Sequence, residues 1–536
     1  MNAPAFAAWL DDFFEAYYRR RPVNATFVGV HAYDDRLPDM SAAGFADSAV
    51  EVAGLLARLR ALPSEQLTSA ESIDRQLAEG CLEIQAWEAS SAHFAWGNPS
   101  LFTGEAVWGV LSLLLRPCAP LSTERLDLAV ARLAAIPRLL DDGRASLHDA
   151  PAEWSARAQR ECAGAGVLLG DGLDRLLQDE NVSHPRLRRA ADTARDAFVS
   201  FAASIQSVPP NPTRTCACGA EAFDLLLRRG HFLDLGADDL EKLALERMAT
   251  EEAALAMGGP PSDPARATPY LERFAELWRD ARNIAERENL LTFPDWPVRY
   301  VEQPAWVRAA APSFYFLPYR SPAPFDATPV VDYFVPATAD DSTIKLNHVV
   351  HHGSLGHHVQ NWHAARAASR IGQMAAVDCA SRIAMSCGGT LAEGWACYAT
   401  DLAEEHGFLT PAERFAQHTA RLRMAARAVV DIRLHQARMS LQEAAELYQQ
   451  RVGMPAEAAH AEAVKNSLFP GTACMYLAGW DGIWRLRREF SGAQTLSLRD
   501  FHDRLLSFGS VPVSLVGRSM REANSIGIAP RLPANR

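Results

Sequence analysis

The chain has 536 residues, 48% of them hydrophobic and 22% charged, with a formal net charge of −12. This is a globular mix with room for two to four average domains or one large unit, and its acidic balance argues against nucleic acid, which needs a basic face. The longest apolar run, near Ala106–Leu115, is about half of the ~20 residues a membrane-spanning helix requires, so no membrane span is expected.

Met1–Asp12 turns acidic where a secretory leader stays apolar, and it carries no basic start, so a cytoplasmic protein is the expectation. Helical periodicity then dominates, predicting helices over 44–62, 123–146, 151–178, 186–206, 238–257 and 266–288. Val208-Pro-Pro-Asn-Pro212 and Gly258-Gly-Pro-Pro261 break the pattern between some of them. The nine cysteines are irregularly spaced, which fits reduced thiols. The close pair Cys216-Ala-Cys218 lacks the second pair that a zinc site would want, and reads as a loop with two free thiols.

Residues 292–337 differ, with nine prolines and few helix formers. Val298-Arg-Tyr-Val301 and Val330-Val-Asp-Tyr-Phe-Val335 predict short strands. Helical patterns return over 376–406, 411–437, 440–451, 456–468 and 473–490. The expected fold is mainly α-helical, a single unit over 1–536. It divides into a helical N-terminal region over 1–290, short strands and loops over 291–340, and a helical region over 341–536 that holds the site beside a long cleft.

Between strands and helices lies His348-Val-Val-His351-His352-Gly-Ser-Leu-Gly-His357-His358-Val-Gln-Asn-Trp-His363, six of the chain's sixteen histidines in sixteen residues. Neutral imidazole is the commonest metal ligand, so the cluster points to a metal site, although any one of these rings taken alone is more often structural. His348 and His352, spaced i, i+4, share a helical face. His351 and His357 diverge on a straight helix and can share an ion only if the helix bulges between them, where Gly353 and Gly356 tolerate distortion. A pair of histidines wants a carboxylate to complete an open zinc centre. Glu393, in the apolar stretch Leu391-Ala-Glu-Gly-Trp-Ala-Cys-Tyr398, is the candidate; its bland alternative is an ion pair with Arg382.

At this point the residues resemble a known family. His351-His-Gly-Ser-Leu-Gly-His-His-Val-Gln360 is similar to the His-Glu-x-x-Pro-Gly-His-His-x-Gln signature of the bacterial domain-of-unknown-function family 885. Near the start, Arg21-Pro-Val-Asn-Ala-Thr26 and Gly29–Asp39 resemble its opening motif, and Glu393-Gly-Trp-Ala-Cys-Tyr398 its Glu-Gly-Trp-Ala-x-Tyr motif. Arg427–His435, Phe469–Tyr476 and Phe501–Pro512 resemble its later blocks. The family looks related to the gluzincin zinc peptidases.

The resemblance implies His351 and His357 as metal ligands with Glu393 as the third, around a divalent ion, zinc first and iron or copper next. It places His358 and Gln360 beside them, and Tyr476 where it could polarise a substrate. His352, Tyr476 and His358 are the catalytic candidates. Asp431 and His435, one turn apart, either support the site or hydrogen-bond within their helix. His352 stands where the family has Glu, the base that takes a proton from the attacking water and passes it to the leaving amine. Leu355 replaces Pro, and Thr400 and Thr472 replace a carboxylate and a Gln.

A metal-dependent hydrolase of an amide or peptide-like small substrate, with an altered base, is the first expectation. His352 could itself be that base, or join the metal as a third histidine. A non-catalytic descendant that binds a peptide or metabolite is the alternative, as is a non-hydrolytic metalloenzyme, a lyase or an oxygen user. No phosphate-binding glycine loop is present, and Ser386-Cys-Gly-Gly-Thr390 reads as a tight helix contact rather than a nucleophile elbow. The stripe of Trp480, Trp484, Arg485 and Arg487 reads as core plus a solvated face. Arg485 or Arg518, if directed into the cleft, could bind a substrate carboxylate.

Overall fold

The computed structural model describes residues 3–64, 67–115, 121–209, 216–258, 268–314, 319, 323–325, 331–374, 386–491 and 496–525. It is mainly helical, as expected, with one two-stranded sheet. Eight predicted helices lie within two residues of their expected bounds at both ends: Ala42–Ala61, Thr123–Ser146, Pro185–Gln206, Ala237–Ala256, Pro411–His435, Leu441–Val452, Ala456–Leu468 and Cys474–Phe490. Local chemistry explains several of these ends. Ser122 and Thr410 cap their helices by accepting from backbone N–H groups, and Pro411 sits at a first helical position where its missing N–H is harmless. The helix expected over 151–178 is not continuous: it widens into a π turn over Leu168–Gly172, with Gly170 outside helical geometry. The first ten residues of the helix expected over 376–406 lie outside the described residues, and so do Arg382 and Val330. No described helix is long and apolar enough to cross a membrane. Six cysteines among the described residues are free thiols, Cys216 and Cys218 included.

Two large hydrophobic cores organise the molecule. One joins Ala3–Arg20, Ser69–Glu88 and Tyr270–Arg287 to the C-terminal helices; the other is built by Pro99–Leu114, Thr123–Ser146, Ala152–Val167 and Pro185–Gln206. A small cluster of Trp154, Val464 and Leu468 bridges their helices, and the Trp154 indole N–H donates to Ser467 Oγ at 2.9 Å.

In the second core Arg132 is wholly buried. Its guanidinium donates to Gly109 O, Ser112 Oγ, Pro22 O, Thr26 Oγ1 and Tyr33 O, and lies 3.8 Å from Asp34. The opening motif is therefore a scaffold: Thr26 and Asp34 come from it, and Arg132 stitches it to two helices. Arg132→Met should lower stability by about 3–5 kcal/mol, because it strands a buried carboxylate and several carbonyls. Urea unfolding would measure this, and a loss under about 1 kcal/mol would show that the network is dispensable.

The sheet positions the site. β1 (Val298–Glu302) pairs parallel with β2 (Val331–Val335), Val298 opposite Val331 and Tyr300 opposite Tyr333. The chain leaves β2 for the cap Asp340, whose carboxylate accepts from Thr343 N, and enters α1 (Ile344–Gly353). After a break it continues as α2 (His357–Ala364), and later as α3 (Ser386–Glu405), α4 (Pro411–His435), α5 (Ala456–Leu468) and α6 (Cys474–Phe490). Lys345 of α1 and Glu413 of α4 form a buried ion pair at 2.6 Å that ties these two helices together.

Candidate functional site

The bulge expected between His351 and His357 is present, in a stronger form. All ten residues of α1 wind as a π-helix, and the chain breaks at Ser354–Gly356 before α2 begins. Gly356 N donates to Val350 O at 2.8 Å, closing the break. A side chain at Gly356 would meet the His351 carbonyl oxygen at 1.9 Å, so only glycine fits there. The break turns His357 back toward His351, their ring centroids 4.9 Å apart, and His352 lies 4.7 Å and 5.4 Å from these two rings.

Glu393 on α3 completes the cluster. Its Oε2 is 3.5 Å from His351 Nε2 and 3.4 Å from His357 Nε2. That oxygen is buried and has no hydrogen-bond partner. Four ligands held tetrahedrally at ~2.0–2.1 Å from a zinc ion stand about 3.3 Å apart, so both separations fit a shared divalent ion. Burial holds His351 below the ordinary imidazole range and therefore neutral, as a ligand must be. Burial also pushes the Glu393 carboxyl up, but the neighbouring His357 and His351 outweigh it and keep Glu393 ionised.

His352 offers one further nitrogen. Its Nδ1 lies 2.7 Å from Asn347 O, and a carbonyl only accepts, so Nδ1 carries the proton and Nε2 has a free lone pair. One ring nitrogen each of His351, His352 and His357 lie within 4.8 Å of one another. His348, in contrast, is structural: Tyr333 Oη bonds its Nδ1 at 2.7 Å, and burial lowers its pKa to about 4.

These residues open into a cavity of about 1170 Å³ lined also by Gln360, Asn361, Thr400, Thr472 and Tyr476. Gln360 bonds Ser510 Oγ at 3.0 Å through its amide nitrogen, and its buried Oε1 has no partner. Tyr476 stands on the first turns of α6, which crosses α3 closely: a Cβ at Gly394 would meet the Gly479 backbone at 2.4 Å. The Gly-Gly stretch of Ser386–Thr390 is indeed a tight contact, with Gly389 against Met475 and Gly388 against Ser510.

Other expected site residues go elsewhere. His358 is one step past His357 on α2, which rotates it about 100° away. Its Nε2 donates to Trp296 O at 3.2 Å, its ring is fully buried against Tyr319, and it does not line the cavity. Asp431 does not line the cavity. Its carboxylate accepts from Gly471 N, Ala473 N and Cys474 N, fixing the turn from which α6 and Tyr476 emerge. His435 lies 3.5 Å from Asp431, but its Nε2 donates to Asn466 O at 3.0 Å and its ring stacks on Phe223. Arg485 pairs with Asp481 and Arg518 is exposed; neither reaches the cavity. Trp480 and Trp484 both donate to Asp401 Oδ2, and Trp480 also lines the cavity. Sequence reasoning missed Asn347, Arg423, Arg427, Glu462 and Lys465. The one available signal was the like-charged pair Arg423 and Arg427 on one helical face.

The closing motif explains itself as scaffold. His502 accepts from Tyr398 Oη at 2.8 Å while its Nδ1 donates to Leu290 O, and Asp503 accepts from Thr292 N and Oγ1.

Residues 22–520 match the family described as "Bacterial protein of unknown function (DUF885)". The chain belongs to this family. Two solved structures share the DUF885 chain's fold. One, from Shewanella oneidensis, is described as a putative lipoprotein of unknown function; it is 20% identical, with a TM-score of 0.73 over 96% of this chain and 99% of that one. The other, a putative lipoprotein from Colwellia psychrerythraea, is 15% identical, with a TM-score of 0.75 over 97% and 99%. No curated protein matches. These two relatives overturn the expected cytoplasmic placement: both are described as lipoproteins, and a lipid anchor is a covalent acyl chain that needs no spanning helix.

Proposed function

We propose that this DUF885 protein is a metal-dependent hydrolase of an amide or peptide-like small substrate, related in its chemistry to the gluzincin peptidases. The observation that carries this is the buried Glu393 Oε2, without a hydrogen-bond donor and 3.4–3.5 Å from the Nε2 atoms of His351 and His357. His351, His357 and Glu393 would hold the ion, zinc in the first instance. Bound there, a divalent ion supplies Lewis acidity toward an amide carbonyl and toward water.

The chain's own residues do the rest. His352, its Nδ1 proton committed to Asn347 O, presents Nε2 as the acceptor for the proton of the attacking water, the task of the Glu it replaces. Tyr476, on the wall that α6 contributes, supplies a phenolic hydroxyl to the oxyanion side of the substrate. The cavity is large enough for a peptide-sized molecule.

The nearness of three imidazoles favours a second reading: His351, His352 and His357 as a three-histidine centre suited to iron or copper, with Glu393 left as a base. His352→Ala separates the two. As a base, its loss should leave about one zinc per chain, measured by elemental mass spectrometry, and lower hydrolysis of an acyl dipeptide by roughly 10²–10⁴-fold, with His352→Glu restoring it. As a ligand, its loss should empty the site. Absence of any metal after reconstitution of the wild type would leave a binding protein on this scaffold.

A further inference from the structure

The wall of the cavity facing the metal cluster carries charge that hydrolysis itself does not require. Arg423 and Arg427 stand one turn apart on α4 and face Glu462 of α5. Arg427 Nε donates to Glu462 Oε1 at 2.6 Å, and Arg423 Nη2 lies 3.8 Å from Oε2. Lys465, three residues along α5, lines the same cavity. Burial pushes the Glu462 carboxyl up, but Arg427, Lys465 and Arg423 together hold it down at about 2. Arg427, Arg423 and Lys465 thus gather about one ionised carboxylate. Arg160 lines the same cavity and has no ion-pair partner among the described residues.

Within this arrangement Arg427 is well paired, while Arg423 is held more loosely. Like charges at i, i+4 repel, and Arg427 is the main reason the Arg423 guanidinium sits below its ordinary value. A surface fold would not need such a pair. The molecule as a whole is acidic, at −12, so a cationic cavity is a local reversal of sign that draws anions inward. The cluster also adjoins the reacting wall, because the Arg427 guanidinium lies 5.6 Å from the centre of the Tyr476 ring.

We propose that the cavity selects a substrate bearing a carboxylate, held by Arg423, Arg427 and Lys465 while its amide lies at the His351–Glu393 centre. This rests on the hydrolase reading for the amide, but not for the carboxylate. Guanidinium groups suit the task because they meet a carboxylate with two parallel N–H donors. The carboxylate could be a peptide's free C-terminus or an acidic side chain.

Three probes resolve this by calorimetric titration of the full-length protein: acetyl-alanyl-alanine as the free acid, its C-terminal amide, and acetyl-alanyl-glutamic acid amide. The acid, the glutamyl probe, or both should bind about tenfold more tightly than the neutral amide, less so at high salt. Which of the two wins names the source of the carboxylate. Arg423→Gln with Lys465→Gln, at positions open to the cavity, should reduce that advantage to about twofold, and Arg423→Lys should retain part of it. Equal binding of all three probes, no binding of any, or an undiminished preference in the double variant would each overturn the proposal. Metal content and hydrolysis are read on the same samples. Carboxylate preference without metal keeps the anion site and sinks the hydrolase; indiscriminate hydrolysis of acid and amide does the reverse.

Discussion

Replacing Glu393 with alanine should cost the protein its metal while leaving the fold in place. The carboxylate is buried between two imidazole rings, with one oxygen that no hydrogen bond satisfies. Without an ion the neighbouring imidazoles already offset the cost of burying this group, so its removal should leave the stability of the metal-free protein equal or slightly lowered. With an ion the loss is far larger. Losing a residue that merely orients a ligand already weakens metal binding by roughly 10–100-fold, so losing the ligand itself should exceed about a hundredfold. Thermal unfolding with and without added zinc checks both halves, because an ion that binds only the native state raises the midpoint. The wild type should gain from zinc and Glu393→Ala should not. An alanine variant that retains one tightly held zinc per chain would remove Glu393 from the site.

Gly356→Ala should be among the most damaging single methyl groups at the described glycines. It places a carbon 1.9 Å from the His351 carbonyl oxygen and 2.9 Å from that of Val350, and both neighbours are backbone. Overpacking with movable side chains costs about 1–3 kcal/mol; here the chain itself must move, and about 3 kcal/mol is expected. The shift falls on His351, proposed above as a metal ligand, and a ligand's working tolerance is about 0.5 Å, so metal affinity should fall with stability. Gly54→Ala is the control. It lies inside the helix Ala42–Ala61 with nothing within 4 Å, and should stabilise by up to ~1 kcal/mol through helix propensity. Matching denaturation curves for the two variants would show that the break at Gly356 is soft.

The sequence spoke most clearly where chemistry is local. Six histidines in sixteen residues marked the segment, the family resemblance singled out His351 and His357 within it, and Glu393 stood out in an apolar stretch; these three do meet, and alternation found β1 and β2. It was silent where the period fails. Pro99–Leu114 is buried on nearly every face, so it has no polar stripe to reveal a helix, and only its apolar run was visible. The π winding of α1 leaves no mark in a pattern read at 3.6 residues per turn, although the need for a bulge followed from the six-residue spacing. His358 looked catalytic because it adjoins His357 in the chain, but adjacency on a helix means a different face, and Trp296 O claims it. Asp431 acts through the N–H groups of 471–474, forty residues on, a tertiary bond no spacing encodes.

The backbone contact between Gly394 and Gly479 sets which walls of the cavity can diversify. Because α3 and α6 touch main chain to main chain, Glu393 and the tyrosine wall form one inflexible chassis, and a bulkier residue at the crossing would disturb both at once. A second wall is built by Arg157, Arg160, Pro312 and Ser313, whose segments pack with the other core. Diversification by descent, or by a designer's hand, is free to work on that second wall. A chimera that exchanges it between relatives should inherit a new choice of molecule with the reaction unchanged.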